Sequence, residues 1–367
     1  MIPINAPLIG KEEIEAVTEV LKSGILTHAL GAGPMVKKFE EAFAKYAETK
    51  HAIAVNSGTA ALHLAMIGAG IKPRDEVILP SFTFVATAEA IIMVGAKPVF
   101  VDIDPETYNI SPQKIEKAIT KKTKAIVPVD LYGLPTDMQP IREIADKHAL
   151  LIIEDAAQAH GATYKGKPVG KFADVACWSL YASKNITTGE GGIVTTNNEE
   201  IAEKIRIIRS HGEQEKYKST TLGYNYRMPE IEAAIGCAQL QKLPKFIAKR
   251  RQNAIKLTEK LANTKNLQLP KETKDCKHSW YLYTVRLKNA SEKERNKILE
   301  ELRQRGIGAE AYYVNPVHLM PYYVKFGKYR LPETEKASKQ VFSLPVHPGV
   351  TTEQINFIGD TVLHLIG

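Results

Sequence analysis

Cysteine is scarce in this chain: Cys177, Cys237 and Cys276 are the three among 367 residues, far apart and odd in number. That excludes a disulfide framework, and without a CxxC pair no metal site is expected. No apolar run approaches the length of a membrane span; Ala88 to Phe100 is broken by Glu89, Gly95, Lys97 and Pro98. The start, Met1-Ile2-Pro3-Ile4-Asn5-Ala6-Pro7, lacks the basic opening and apolar centre of a signal peptide, so a cytoplasmic protein is expected. Internal repeats and low-complexity segments are absent too. So is a long basic tract: the formal charge is +8, but Lys and Arg are spread along the chain. A spread positive charge suits anionic small ligands and gives no footprint for nucleic acid.

What is present is an ordinary globular composition, 44% apolar and 25% charged, in a chain long enough for two domains. Strand-like runs (His51–Val55, Glu76–Pro80, Gly95–Asp104, Ala125–Val129, Leu150–Ile153, Val175–Trp178) alternate with helical patterns. The first helix, Lys11 to Lys22, is set by Ile14, Val17, Val20 and Leu21, and Gly24 stops it. Such alternation predicts an α/β fold, a mainly parallel sheet with helices on both faces. At Pro244 the alternation changes. One helix ends at Leu243, a basic helix runs from Phe246 to Leu261, and a strand at Trp280–Leu287 precedes a helix at Ser291–Arg305. A large domain, 1–243, and a small C-terminal α+β domain, 244–367, are expected. Ligands of parallel sheets sit beyond the carboxyl ends of the strands, where Ser57, Phe84, Asp155 and Ser179 all fall.

The runs that leave those ends carry the chemistry. Ser57-Gly58-Thr59 turns a strand directly into a helix, which makes either a phosphate site or a plain N-cap. Asp155 and Gln158 follow a buried strand, and their spacing also fits the start of a capped helix. Lys184 follows the next strand, where most lysines are simply solvated. An acid at one strand end and a lysine in the loop after the next suit pyridoxal phosphate (PLP). The amine can form a Schiff base with its aldehyde, and the acid can keep its ring nitrogen protonated.

Glu154-Asp155-Ala156-Ala157-Gln158-Ala159-His160-Gly161 and Ser179-x-x-x-x-Lys184-Asn185-x-x-x-Gly189-Glu190-Gly191-Gly192 resemble the signatures of the DegT-type aminotransferases. These are PLP enzymes of fold type I that act on nucleotide-linked keto sugars, and the likeness runs from Ile4-Asn5-Ala6-Pro7 to Ser343-Leu344-Pro345. It implies that Lys184 is the Schiff-base lysine and proton carrier, Asp155 the ring-nitrogen partner, Gln158 the partner of the ring hydroxyl and Phe84 the stacking aromatic. It also implies a phosphate held by Ser57, Gly58, Thr59 and Ser179, with Asn225 of a neighbouring subunit. Thr27, His160, Arg227 and His318 become candidate substrate contacts. Glutamate is the implied amino donor, a keto group at carbon 4 ahead of carbon 3 the acceptor, and a homodimer with shared sites the assembly. The product would serve cell-surface polysaccharide synthesis. Sugar dehydration uses histidine in place of the lysine, and a regulator on this scaffold has no use for Lys184 and Asp155; both features therefore favour the transaminase.

Overall fold

The computed structural model describes residues 1–366. Helix α1 (Lys11–Ser23) is followed by α2 (Pro34–Ala47), β1 (His51–Val55), α3 (Gly58–Gly68), β2 (Glu76–Pro80) and α4 (Ala86–Met93). Next come β3 (Lys97–Val101), α5 (Pro112–Ala118), β4 (Thr123–Ile126), α6 (Met138–His148) and β5 (Leu151–Asp155). A small hairpin, β6 (Thr163–Tyr164) and β7 (Lys167–Pro168), leads to β8 (Val175–Ser179), β9 (Gly192–Thr196) and α7 (Glu199–Arg209). Seven of these strands form one sheet in the order β1-β9-β8-β5-β4-β2-β3. Every pairing is parallel except those of β9, which runs against both neighbours. The reason is the connection: β8 reaches β9 through a loop with no crossover helix, and such a return reverses direction.

The pleat divides the sheet between two cores. Ile53, Val77, Ile153 and Val175 pack with α3, α4 and α7 on one face. Ala52, Ile78, Ile126, Ile152 and Trp178 point the other way, toward α2, α5, α6 and the later helix α8 (Glu230–Leu261). Helix α1 departs from its pattern. Ile14 and Leu21 are exposed, and the buried face carries Glu13, which bonds Gln239 at 2.8 Å and Lys242 at 2.7 Å on α8. Leu21 to Leu30 is exposed throughout.

Hairpin β10 (Glu213–Glu215)–β11 (Lys218–Ser219) precedes α8. The C-terminal part holds β12 (Leu267–Gln268), β13 (Cys276–Lys277), β14 (Tyr283–Leu287), α9 (Glu292–Gln304), α10 (Pro332–Gln340), β15 (Val341–Leu344) and α11 (Thr352–Ile366). Strands β12, β14 and β15 make a three-stranded antiparallel sheet. Contrary to the two helices expected around Pro244, α8 is continuous over 32 residues. Proline costs a helix interior about 3 kcal/mol. That cost is outweighed because buried side chains continue at helical spacing through the site: Leu243, Ile247, Arg250, Ala254, Leu257 and Leu261. The helix thereby enters two cores, since Ala254, Leu257 and Leu261 pack with Ile2, Val285, Phe342 and Ile358.

Pro244 borders an open groove, so shortening it leaves no closed cavity. Pro244→Ala is therefore expected to restore a helical hydrogen bond and raise stability by about 1 kcal/mol or more. Denaturant unfolding checks this; a loss of stability would mean that the proline ring is part of the packing.

Candidate active site

Strand β5 ends in Asp155, on the same face as Ile153, toward α3 and α4. Its carboxylate is almost entirely buried. Oδ2 accepts a hydrogen bond from Thr87 Oγ1 at 2.8 Å, and Oδ1 accepts one from the Ala157 amide at 3.2 Å. Thr87 stands in the first turn of α4, where Thr83 Oγ1 lies 3.0 Å from its hydroxyl. Burial raises the Asp155 pKa, while Thr87, the Ala157 amide and the charge of Lys184 act in the opposite direction. No helix begins here: the chain leaves β5 through turns, so the capped-helix reading of Asp155 and Gln158 falls.

Lys184 lies in the loop between β8 and β9. That loop is closed by Leu180 N to Gly191 O at 2.8 Å, Thr188 N to Leu180 O at 3.0 Å and Thr187 Oγ1 to Leu180 O at 2.9 Å. Within it, Lys184 N donates to Tyr181 O at 2.9 Å. Its Nζ stands 4.9 Å from the centre of the Tyr281 ring, a face suited to an ammonium. Neighbouring Asn185 is buried and donates from Nδ2 to His160 O at 3.0 Å.

Ser57 caps α3, its Oγ accepting from the Ala60 amide at 3.1 Å. A Cβ on Gly58 would stand 2.8 Å from the Ser179 Cβ, and one on Gly192 would run into the Ser57 backbone. Two missing side chains thus bring the last hydroxyl of β8 against the first amides of α3. Free amides, two hydroxyls and the positive end of a helix dipole make a cradle for a phosphate. Beside it runs the loop Gly223–Glu230, fastened by Asn56 N to Tyr226 O at 3.0 Å and Asn56 Nδ2 to Asn225 O at 3.3 Å. The donor set fits pyridoxal phosphate: a cradle for its phosphate, a buried acid for its ring nitrogen and a lysine for its aldehyde.

The model of the DegT/DnrJ/EryC1/StrS aminotransferase family matches residues 7–363. The chain belongs to that family. The GDP-perosamine synthase of Caulobacter vibrioides is 41% identical over 97% of this chain and 95% of its own length. The dTDP-3-amino-3,4,6-trideoxy-alpha-D-glucose transaminase of Streptomyces venezuelae is 40% identical over 96% and 92%. A Streptococcus pneumoniae protein described as a sugar aminotransferase, solved in its PLP form, superposes with a TM-score of 0.94. It is 32% identical and covers 99% of this chain and 98% of its own. The protein is a PLP-dependent aminotransferase of fold type I.

The other expected contacts of this DegT-family aminotransferase divide into open and sealed. Phe84 is 55% exposed, with its ring centre 6.2 Å from that of Tyr313. Thr27 and Asn225 are exposed, Thr59 and Arg227 half-buried, and Arg227 Nη1 donates to Ser210 Oγ at 3.1 Å. Gln158 is engaged within the protein: Oε1 accepts from Tyr132 N at 2.7 Å, and Nε2 gives one hydrogen to Tyr313 Oη at 3.0 Å. Its second amide hydrogen is left for a ligand.

The two histidines differ from expectation. His160 is fully buried among Phe43 and Trp178, its ring nitrogens without hydrogen-bond partners. Burial, helped by the charge of Lys184, lowers its pKa to about 3, so it stays neutral. His318 is 2% exposed, with Nδ1 2.6 Å from Ser81 Oγ and Nε2 3.5 Å from Glu335. Neither ring offers an open edge to a substrate.

Thr87, Tyr281 and Tyr313 went unmarked in the sequence; nothing local distinguishes them, and their contacts span 68 to 155 residues. Asp155→Asn is expected to slow proton abstraction from an amino donor by about a thousandfold, a loss of about 4 kcal/mol. Thr87→Val, which strips one donor from that carboxylate, should slow it about tenfold. Stopped-flow absorbance of the donor half-reaction measures both, and a wild-type rate in Thr87→Val would remove the threonine from the site.

Proposed function

We propose that this aminotransferase moves an amino group from L-glutamate to a keto group of a nucleotide-linked deoxysugar, at carbon 4 ahead of carbon 3. The observation that carries the reading is the buried Asp155 carboxylate under the influence of Lys184, beside the cradle of Ser57, Gly58 and Ser179. The names of two relatives, a GDP-sugar synthase and a dTDP-sugar transaminase, support the substrate class. The Streptomyces relative's name carries a 3-amino group, which makes carbon 3 the second position to test.

When bound, pyridoxal phosphate supplies an aldehyde for the lysine and a protonated ring that draws electrons from the bond being broken. Lys184 takes and returns the proton at the donor's alpha carbon. Asp155 holds the proton on the ring nitrogen, Phe84 covers one ring face, and the free Gln158 amide hydrogen meets the ring hydroxyl. Ser57, the Gly58 and Thr59 amides, and Ser179 hold the phosphate. Thr27 and Arg227 are the open side chains for the sugar nucleotide. Among the described residues no helix is long and apolar enough to cross a membrane. We place the reaction in the cytoplasm, supplying amino sugars for surface polysaccharide.

Borohydride reduction followed by peptide mapping should put the phosphopyridoxyl group on Lys184, and Lys184→Ala should abolish turnover while leaving the fold intact. A label on another lysine sinks the assignment. Keto sugars generated in situ and offered with glutamate then identify substrate and position, with NMR of the product reading carbon 4 against carbon 3.

The assembly we infer is a homodimer with shared sites. Exposed Ile14, Leu21, Ile25, Leu26 and Leu30 support it, as an apolar strip that suits burial against a second copy. Asn225 is exposed, which leaves its side chain open to a second subunit. Take one chain as Lys184→Ala and another as Asn225→Asp, whose added charge should repel the phosphate. Each homodimer should be nearly inactive. The mixed dimer should regain one native site, because the chain that keeps Lys184 receives Asn225 from its partner. A mixture that stays dead despite confirmed subunit exchange would assign Asn225 to its own chain.

A further inference from the structure

The residues ahead of α1 lie, without regular structure, against the loop that carries Lys184. Ala6, Pro7 and Leu8 border the same narrow cleft as Lys184, Gln239 and Arg250. Gln239 and Arg250 stand about three turns apart on α8, so they share one face of it. Both are buried, and each joins the N-terminal segment to the lysine loop. Gln239 Nε2 donates to Leu8 O at 2.9 Å, and its Oε1 accepts from Thr187 N at 3.4 Å. Arg250 works nearer the lysine. Its Nη2 donates to Asn5 Oδ1 at 2.9 Å, and Asn5 Nδ2 donates to Ser183 O, the carbonyl immediately before Lys184.

The partners fix the orientation of the Asn5 amide. A guanidinium only donates and a carbonyl only accepts, so the amide oxygen faces Arg250 and the nitrogen faces Ser183. Arg250 also reaches the lysine by a second route. Its Nη1 donates to Tyr281 O at 3.1 Å and to Trp280 O at 3.2 Å. The Tyr281 hydroxyl lies 3.1 Å from Ser183 Oγ, and the ring centre stands 4.9 Å from Lys184 Nζ. A lysine amine sits on a flexible four-carbon stem, so its place depends on where the backbone beneath it is held. On one side of Lys184, Asn185 is held to His160 O at 3.0 Å. On the other, Ser183 is held by Asn5 and Tyr281, and both of these are held by Arg250.

We propose that Asn5 and Arg250 are positioning residues for Lys184: Arg250 clamps Asn5 and Tyr281, and these two fix Ser183 so that the lysine amine meets the cofactor aldehyde. The inference rests on the reading of Lys184 as the Schiff-base lysine. Neither Asn5 nor Arg250 touches the reacting atoms; they act through Ser183 and Tyr281. Asn5→Asp separates the two bonds of the amide. A carboxylate still accepts from Arg250, so the segment stays clamped to α8, but it has no hydrogen for Ser183 O and repels that carbonyl.

The test compares two forms of the cofactor. Pyridoxamine phosphate carries the same phosphate and ring but no aldehyde, so it occupies the site without bonding to Lys184. The full-length protein loaded with PLP is dialysed to equilibrium against an equal mixture of the two forms, and the bound cofactors are released and separated by chromatography. Asn5→Asp is expected to lower the bound ratio of PLP to pyridoxamine phosphate about tenfold, the weight of one hydrogen bond. General damage to the fold would weaken both forms in step and leave the ratio alone, so an unchanged ratio in Asn5→Asp overturns the proposal. Lys184→Ala is the control and should lower the ratio further. If Lys184→Ala leaves the ratio at the wild-type value, the assignment of Lys184 falls and the inference with it; if it moves the ratio and Asn5→Asp does not, the inference alone falls. Should Asn5→Asp fail to fold, Asn5→Ala, which removes both bonds without adding a charge, is read in the same way.

Discussion

A carboxylate taken out of water must be matched, and Asp155 is the carboxylate around which this molecule is arranged. Burial raises its pKa. The hydroxyl of Thr87, the amide of Ala157 and the charge of Lys184 each hold it toward the ionised form, and each comes from a different element. The helix α4, the turn after β5 and the loop after β8 are thereby committed to one place. A protonated pyridine ring, in the place we propose for it, would complete the set.

Around that charge the backbone approaches itself unusually closely. Gly58 and Gly192 remove the Cβ atoms that would keep β8, β9 and the start of α3 apart. The phosphate cradle is therefore made of main chain and two small hydroxyls, with no basic side chain supplied by these elements. A helix N-terminus can hold an anion without one.

Much of this was legible in the linear sequence. Strand runs of four or five apolar residues, each ending in a polar turn, predicted the sheet and put Ser57, Asp155 and Ser179 at one edge. Resemblance added Lys184. What escaped was whatever depends on distant partners. Thr87 is an ordinary threonine until it meets Asp155, 68 residues away. Ile14 and Leu21 have helical spacing, yet periodicity alone does not say whether an apolar stripe faces the core or a second chain. Resemblance makes His160 and His318 substrate candidates, and it does not show that aromatic neighbours and Ser81 enclose them. Pro244 reads as a break because its local cost is real, and the buried residues on either side of it outweigh that cost.

The uninterrupted α8 has a mechanical consequence. A helix that contributes side chains to both cores leaves no hinge loop between them. Swinging one lobe over the other would have to bend a rod held along its length, so the body of the subunit behaves as a rigid frame. Access to the site is then governed by the short exposed segments at its rim. Heat should also find a single unit of cooperativity here, with both lobes lost in one transition.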